Sequence, residues 1–463
     1  MYSSSGETAK GWPIRVGALP AKTLCVKADF ASSESANNTC LVEYYDDLCP
    51  YKDEPQKLDG RIQQGIRGNP IVIFWHNTET GKVSFLGRYN VNNDKSNENV
   101  FGFDRKTYPN CESVEFLNNT SHRTLFLESD YEKLDADGKP DWLNDFEYRF
   151  PDLDEPYQDY TQFKRLTDWV VSTARLSTDT EQQKAAKLAK FKNELSEYLI
   201  LQPLLFYYLF TEVLLMIDSR AKNMFMTTFD GIHWFPIPYD FDTAAGTNNE
   251  GKLVFDYNLE DTDLVDGAQV FNGQTSALWC NIRDAYAAEL QSMYAELRNG
   301  NIWSYENLKA RMETHQATWP EAIWNEDMYI KYLQPFLLKR ENYLEMLQGD
   351  KKAQRDWWLF NAFRYRDSKY QCGDAQKNFI TLRCYKKGNI TITPYSHIWP
   401  RIKYGSATVM CRGVRNQSYV MECPLDTMND TECYIYSADR LSSVGDLSHL
   451  NVGEAQFGYA TKL

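Results

Sequence analysis

The chain has 463 residues, 43% of them hydrophobic and 25% charged, with a formal net charge of −14. That length allows several cores, and the apolar content marks an ordered globular protein rather than a disordered tail. The acidic excess argues against a dedicated grip on nucleic-acid phosphates, and the basic-rich stretches Lys184 to Lys192 and Lys351 to Arg355 have the spacing of solvated helix faces.

The longest apolar run, Leu199 to Ile217, is interrupted by Gln202, Pro203, Glu212 and several tyrosines, so it is expected to be a buried core helix and not a membrane span. The opening Met1 to Gly6 lacks the charged and apolar regions of a signal peptide. The ten cysteines form no CxxC pair and no Cys/His group at metal spacing, and are expected to be reduced thiols.

In chain order, residues 20 to 130 read mainly as strands and loops. Leu24 to Phe30, Pro70 to Trp75 and Val83 to Val91 are short runs rich in β-branched and aromatic residues, the last two joined by a hairpin through Asn77 to Lys82. Ser32 to Asn38 and Asn92 to Asn99 are expected to be loops. From about 160 the period becomes helical: Phe163, Leu166, Trp169 and Val170 share one face, as do Leu188, Phe191, Leu195 and Leu199, with a helix start at Ser177 and Thr178. Single helices are expected at 281–298 and 304–316, and an interrupted one at 328–368.

After Tyr370 strands return at 378–384, 389–393, 407–411, 419–423 and 433–437. In the tail, Leu447 to Val452 has the spacing either of a leucine-rich-repeat strand or of an ordinary one. The expected fold class is α+β, with a β-rich lobe at 1–160, a helical lobe at 161–370, a small β domain at 371–440 and a β tail at 441–463 that continues or docks on a neighbour.

The most informative constellation is Asp218 with Asn223 five residues later, then two strands around Asp230-Gly231, then Asp240, Asp242 and Gly246. The hairpin returns Asp240 and Asp242 towards Asp218 and Asn223, so four oxygen-bearing side chains are expected to converge on a site suited to Mg²⁺ or Mn²⁺ rather than Zn²⁺. Phosphoryl transfer needs such a set, a carboxylate near the accepting hydroxyl and oxygen ligands for hard cations.

These residues resemble the CotH kinase family, named for spore-coat protein H, whose members share a divergent protein-kinase-like fold. The matching positions are Asp218, Asn223 and Phe225, then Ile237 to Asp242 with Gly246; weaker matches are Lys27 to Phe30, Gly68 to Pro70 and Gly87 to Asn92. The resemblance implies a β-rich N-lobe, a helical C-lobe and ATP-dependent phosphorylation of protein hydroxyls with Mg²⁺ or Mn²⁺. It implies Asp218 as the catalytic residue, Asn223 and Asp240 as metal ligands with Asp242 beside them, and Lys27 as the residue that pairs the nucleotide phosphates.

Lys27 also admits a plainer role, an edge-strand lysine reaching solvent. Gly65 and Gly68 are isolated and make no Gly-x-Gly-x-x-Gly phosphate loop. The four site residues also fit a retained fold without catalysis, using neither ATP nor metal, in which they cap turns and stabilise the hairpin. His233, beside Trp234, reads as a surface strand residue.

Gln354 to Tyr365 is dense in aromatics and arginine, the composition of an interface or of a helix packed on the β domain. With the appended β region and tail, it resembles large tail or neck proteins of tailed phages. The leading expectation is therefore a virion structural protein on a CotH-like kinase fold, assembled in a bacterial cytoplasm with other virion subunits in a homo-oligomeric ring. The alternatives are an active kinase of a coat or surface protein and a non-catalytic scaffold of a bacterial surface or spore coat. No specific nucleic acid and no membrane span is expected.

Overall fold

A computed structural model describes residues 11–28, 37–116, 136–137, 146–151, 159–216, 219–220, 222–245, 276–299 and 303–317, isolated positions between 331 and 370, and the backbone of eight strands between 379 and 462. The architecture is α+β, with helices and antiparallel sheets. The chain divides into two compact units, one of Met1–Tyr294 with Glu306–Asn342, the other of Ala295–Tyr305 with Tyr343–Leu463.

The first unit begins with a short ribbon, β1 (Trp12–Pro13) against β2 (Pro20–Ala21), and a three-stranded sheet of β3 (Leu24–Lys27), β4 (Gly68–His76) and β5 (Val83–Asn93) in the order β3-β5-β4. Asn77 N–H donates to the Lys82 carbonyl at 2.9 Å and closes the β4–β5 hairpin where the turn residues place it. Lys27 ends the edge strand β3, opposite Asn90.

Between β3 and β4 the structure adds helices to a stretch that reads mainly as strands and loops, and it overturns the loop expected at Asn37 and Asn38. Helix α1 runs over Asn37–Leu48, with the short α2 (Glu54–Leu58) behind it. Asn37 and Asn38 read as the end of a loop, yet they are residues that helix N-termini favour, and Leu41, Tyr44, Tyr45 and Leu48 follow at helical spacing. The Asn92 to Asn99 segment likewise splits between the end of β5 and a short helix α3 (Glu98–Phe101).

A second sheet joins distant parts of the chain. β6 (Glu112–Phe116), β7 (Phe146–Phe150), β8 (Met224–Thr228) and β9 (Phe235–Pro238) lie in the order β7-β6-β8-β9, all antiparallel. Strands from both sides of residue 160 therefore share hydrogen bonds, with Phe116 opposite Met224 and Glu112 opposite Thr228. Both faces are covered. Phe225, Phe235 and Ile237 enter a core with Ile66, Phe101, Phe103 and Phe150, while Phe116 and Phe146 meet Phe163 of helix α4 (Thr161–Ser172).

Helix α5 (Glu181–Glu194) starts a little later than Ser177 and Thr178 suggest, because Thr180 and Gln183 form a reciprocal capping box. Helix α6 (Leu201–Val213) is buried on all sides from Pro203 onward, as a core helix and not an amphipathic one. It ends at Val213 instead of running to Ile217: Leu215 takes a left-handed φ of 46°, and Met216 N–H returns to the Thr211 carbonyl at 3.0 Å. The helix expected at 281–298 is two, α7 (Ala277–Ala285) and α8 (Ala287–Asn299), separated at Tyr286, whose non-helical backbone caps the first. Helix α9 spans Tyr305–Ala317. Most of 328–368 lies outside the described residues.

The second unit holds two antiparallel sheets. β10 (Phe379–Cys384), β12 (Arg401–Tyr404), β13 (Ala407–Met410), β15 (Thr431–Tyr436) and β17 (Phe457–Lys462) form one, in the order β13-β12-β15-β10-β17. β11 (Gly388–Pro394), β14 (Tyr419–Cys423) and β16 (Leu450–Val452) form the other. The strand Arg401–Tyr404 was not anticipated, and the tail strands β16 and β17 pair antiparallel with β11 and β10 of the same unit. Among the described residues no helix is long and apolar enough to cross a membrane.

Candidate functional site

The β8–β9 hairpin sets the frame of the site. At its tip Asp230 Oδ1 accepts from the backbone N–H of Ile232 and of His233, both at 2.8 Å, and Gly231 takes the left-handed φ of 78° that the turn requires. His233 is half-buried and its Nδ1 lies 2.6 Å from Asp230 Oδ2, so it belongs to the turn. At the open end Tyr239 N–H donates to the Asn223 carbonyl at 3.1 Å, which places Asn223 and Asp240 at the same end of the hairpin.

Asp240 and Lys27, 213 residues apart, meet there: Lys27 Nζ is 3.0 Å from Asp240 Oδ2 and donates to the Tyr239 hydroxyl at 2.6 Å. Both side chains are partly exposed, 27% for Lys27 and 22% for Asp240, so a ligand can reach them. Burial disfavours the Lys27 charge, but Asp240 and the Tyr239 hydroxyl outweigh it and hold its pKa above the ordinary lysine value. Burial pushes Tyr239 up to about 12, with Lys27 opposing and Asp240 adding to the rise. Lys95 Nζ stands 4.0 Å from the centre of the Tyr239 ring, so two ammonium groups flank one phenol.

The segment after Asp240 is pinned by aromatic packing. Phe241 is fully buried and packs on Phe210 of α6 at 5.7 Å and on Tyr207, while Tyr45 of α1 approaches at 6.3 Å. Ala245 N–H donates to the Leu214 carbonyl at 2.8 Å, fastening the loop to the end of α6.

Four non-glycine residues have positive φ among the described residues: Leu215, Asn223, Asp240 and Ala245. All four belong to the loops that meet here. Such backbones cost about 1–3 kcal/mol each and gather where a fixed geometry is needed.

Asp218 lies outside the described residues, but the two positions after it are held firmly. The Ser219 carbonyl accepts from the Tyr207 hydroxyl, and the Arg220 carbonyl accepts from Trp279 Nε1 at 2.6 Å. The Arg220 side chain is buried, pairs with buried Glu212, donates to Thr211 Oγ1 at 3.0 Å and lies over the Tyr208 ring at 4.4 Å.

Of the residues expected from sequence, Lys27 and Asp240 are thus in direct contact, Asn223 stands at the same hairpin end, and Asp242 follows two residues on with a half-buried side chain. The sequence did not single out Asn37 and Asn38. Asn38 bonds to Asp240 and to Phe241 N–H, and Asn37 to the Ala244 carbonyl. The only signal was an Asn pair directly before a helical period. Among the described residues no three His, Cys, Asp or Glu side chains gather as a metal cluster. Asp240, Asn223 and Asp242 carry oxygen donors, the kind that a hard divalent cation takes.

Neither a family model nor a curated protein sequence matches the chain.

Proposed function

We propose that the chain is a CotH-type, protein-kinase-like protein whose hairpin end binds ATP with Mg²⁺ or Mn²⁺. The observation that carries this is the Lys27–Asp240 contact, which joins a lysine at the end of an early strand to an aspartate just past the later hairpin. Phosphoryl transfer relies on positioning and charge neutralisation, and a lysine beside a metal-binding carboxylate supplies both. Asp240, Asn223 and Asp242 would hold the metal, which when bound neutralises phosphate charge. Lys27, already paired with a carboxylate, would exchange part of that pairing for phosphate oxygens.

Asp218 is assigned the substrate hydroxyl because it stands five residues before Asn223, the place that the resemblance gives to the catalytic aspartate. Incubation of the full chain with radiolabelled ATP and Mn²⁺ tests the assignment: label transfer to itself or to an added protein is expected, and is lost in Asp218→Ala and Asp240→Ala. Equal labelling in these variants contradicts it.

A second reading, a virion structural protein of a tailed phage that keeps this fold, is supported by the appended unit of two β sheets and by the aromatic and arginine content of 354–365. Self-association of the purified chain into rings supports it, and a stable monomer at high concentration counts against it.

A further inference from the structure

We infer that Asn38 is a positioning residue for Asp240, so that the N-terminus of α1 sets the geometry of the metal-binding carboxylate. The inference rests on the ATP and metal reading given above and adds a residue that neither the motif nor the composition points to.

Asn38 is 1% exposed, and its single amide contacts two consecutive residues: Nδ2 donates to Asp240 Oδ1 at 2.8 Å, and Oδ1 accepts from Phe241 N–H at 3.2 Å. Lys27 occupies the other carboxylate oxygen, at 3.0 Å. Each oxygen of Asp240 therefore receives one donor, and each keeps a lone pair for a cation.

The arrangement fixes rotation as well as position. Asp240 has φ of 57°, a backbone that non-glycine residues disfavour, and one amide bonded to both its side chain and the next N–H holds backbone and carboxylate together. Asn37 repeats the device further along, donating from Nδ2 to the Ala244 carbonyl at 3.2 Å. The first two residues of α1 thus grip the 240–244 loop at both ends.

Helix α1 is itself immobilised, which is what a positioning element requires. Tyr45 packs on Phe206 at 5.0 Å and on Phe210 at 5.3 Å, and buried Asp46 holds Arg67 at 2.8 Å. The grip therefore joins the carboxylate to the α6 core through a rigid helix, and not through a side chain free to rotate.

Two substitutions separate positioning from folding. Asn38→Ala removes both bonds. Asn38→Asp keeps the volume and the acceptor for Phe241 N–H, but sets a carboxylate against Asp240 in place of a donor. The readout is the affinity of the full chain for Mn²⁺ together with ATP, alongside circular dichroism and thermal unfolding.

Both variants are expected to weaken binding by about tenfold or more. Asn38→Asp keeps the acceptor for Phe241 N–H, so a lower affinity in this folded variant reports the lost donor to Asp240. Where Asn38→Ala does not fold, the isosteric Asn38→Asp carries the test. Folded variants with wild-type affinity overturn the role of Asn38 alone. Wild-type protein that binds no Mn²⁺ and ATP overturns the site reading and this inference with it.

Discussion

The two loops that meet at the hairpin end are held by different forces. The Ser219–Arg220 segment is fixed by buried groups: a guanidinium paired with Glu212 and stacked on Tyr208, and two backbone carbonyls bonded to Tyr207 and Trp279. The Lys27–Asp240 contact is partly exposed and depends on a few polar side chains, Tyr239 and Asn38 among them. One loop is therefore part of the core and the other is a polar surface resting on it. Damage to the first is expected to appear as lost stability, and damage to the second as lost ligand binding.

The largest effect tests the buried half. Arg220→Ala leaves Glu212 without its cation inside the core, and removal of one partner of a buried pair costs about 3–5 kcal/mol. Urea unfolding is expected to show a loss of that size, and a change below about 1 kcal/mol would put Arg220 outside the core network.

A smaller effect on stability, with a larger one on binding, is expected at the polar half. Lys27→Met keeps the apolar stem but removes the ammonium, and a part-exposed ion pair contributes about 1 kcal/mol or less. The same variant is expected to lose ATP affinity by about tenfold or more, since hydrogen bonds to charged groups contribute about 1.5–3 kcal/mol. Equal losses of stability at Lys27 and Arg220 would erase the contrast between the halves.

The smallest effect lies away from both loops. Asp53 caps α2, accepting from Gln56 N–H at 2.8 Å, and burial pushes its carboxyl up to about 6. Between the ordinary aspartate value and about 6 the folded chain binds a proton that the unfolded chain has released, so this group makes stability fall as pH rises through that window. Asp53→Asn keeps a cap acceptor and is expected to flatten the slope in urea unfolding as a function of pH. Lys27 adds no slope there, because its raised pKa keeps its contribution in place below the ordinary lysine pKa and loses it only at alkaline pH.

Local chemistry made part of the fold legible in the sequence. Asp230-Gly231 marks its turn because the aspartate bonds its own following backbone and glycine accepts positive φ, and Lys27 stands out as a charge in an apolar strand. The α1 helix was concealed by the Ser and Asn cluster before it, although its tyrosines and leucines carry the helical period.

Pairing of β6 with β8 was not legible, since alternation along a strand fixes its faces and not its distant partner. The early end of α6 depends on the left-handed Leu215, a conformation that a leucine in an apolar run does not announce. Asn38 was missed for a related reason: its role is defined by a contact 202 residues away.

The central claim is that Lys27 and Asp240 form a nucleotide and metal site, and calorimetric titration of Mg²⁺ and ATP into the full chain, its Lys27→Met variant and its Asp240→Asn variant tests it most directly. One saturable site in the wild-type chain, weakened about tenfold or more in both variants while both remain folded, is the predicted result. A wild-type chain that binds no ATP in the presence of Mg²⁺, or variants that bind it as the wild type does, would contradict it.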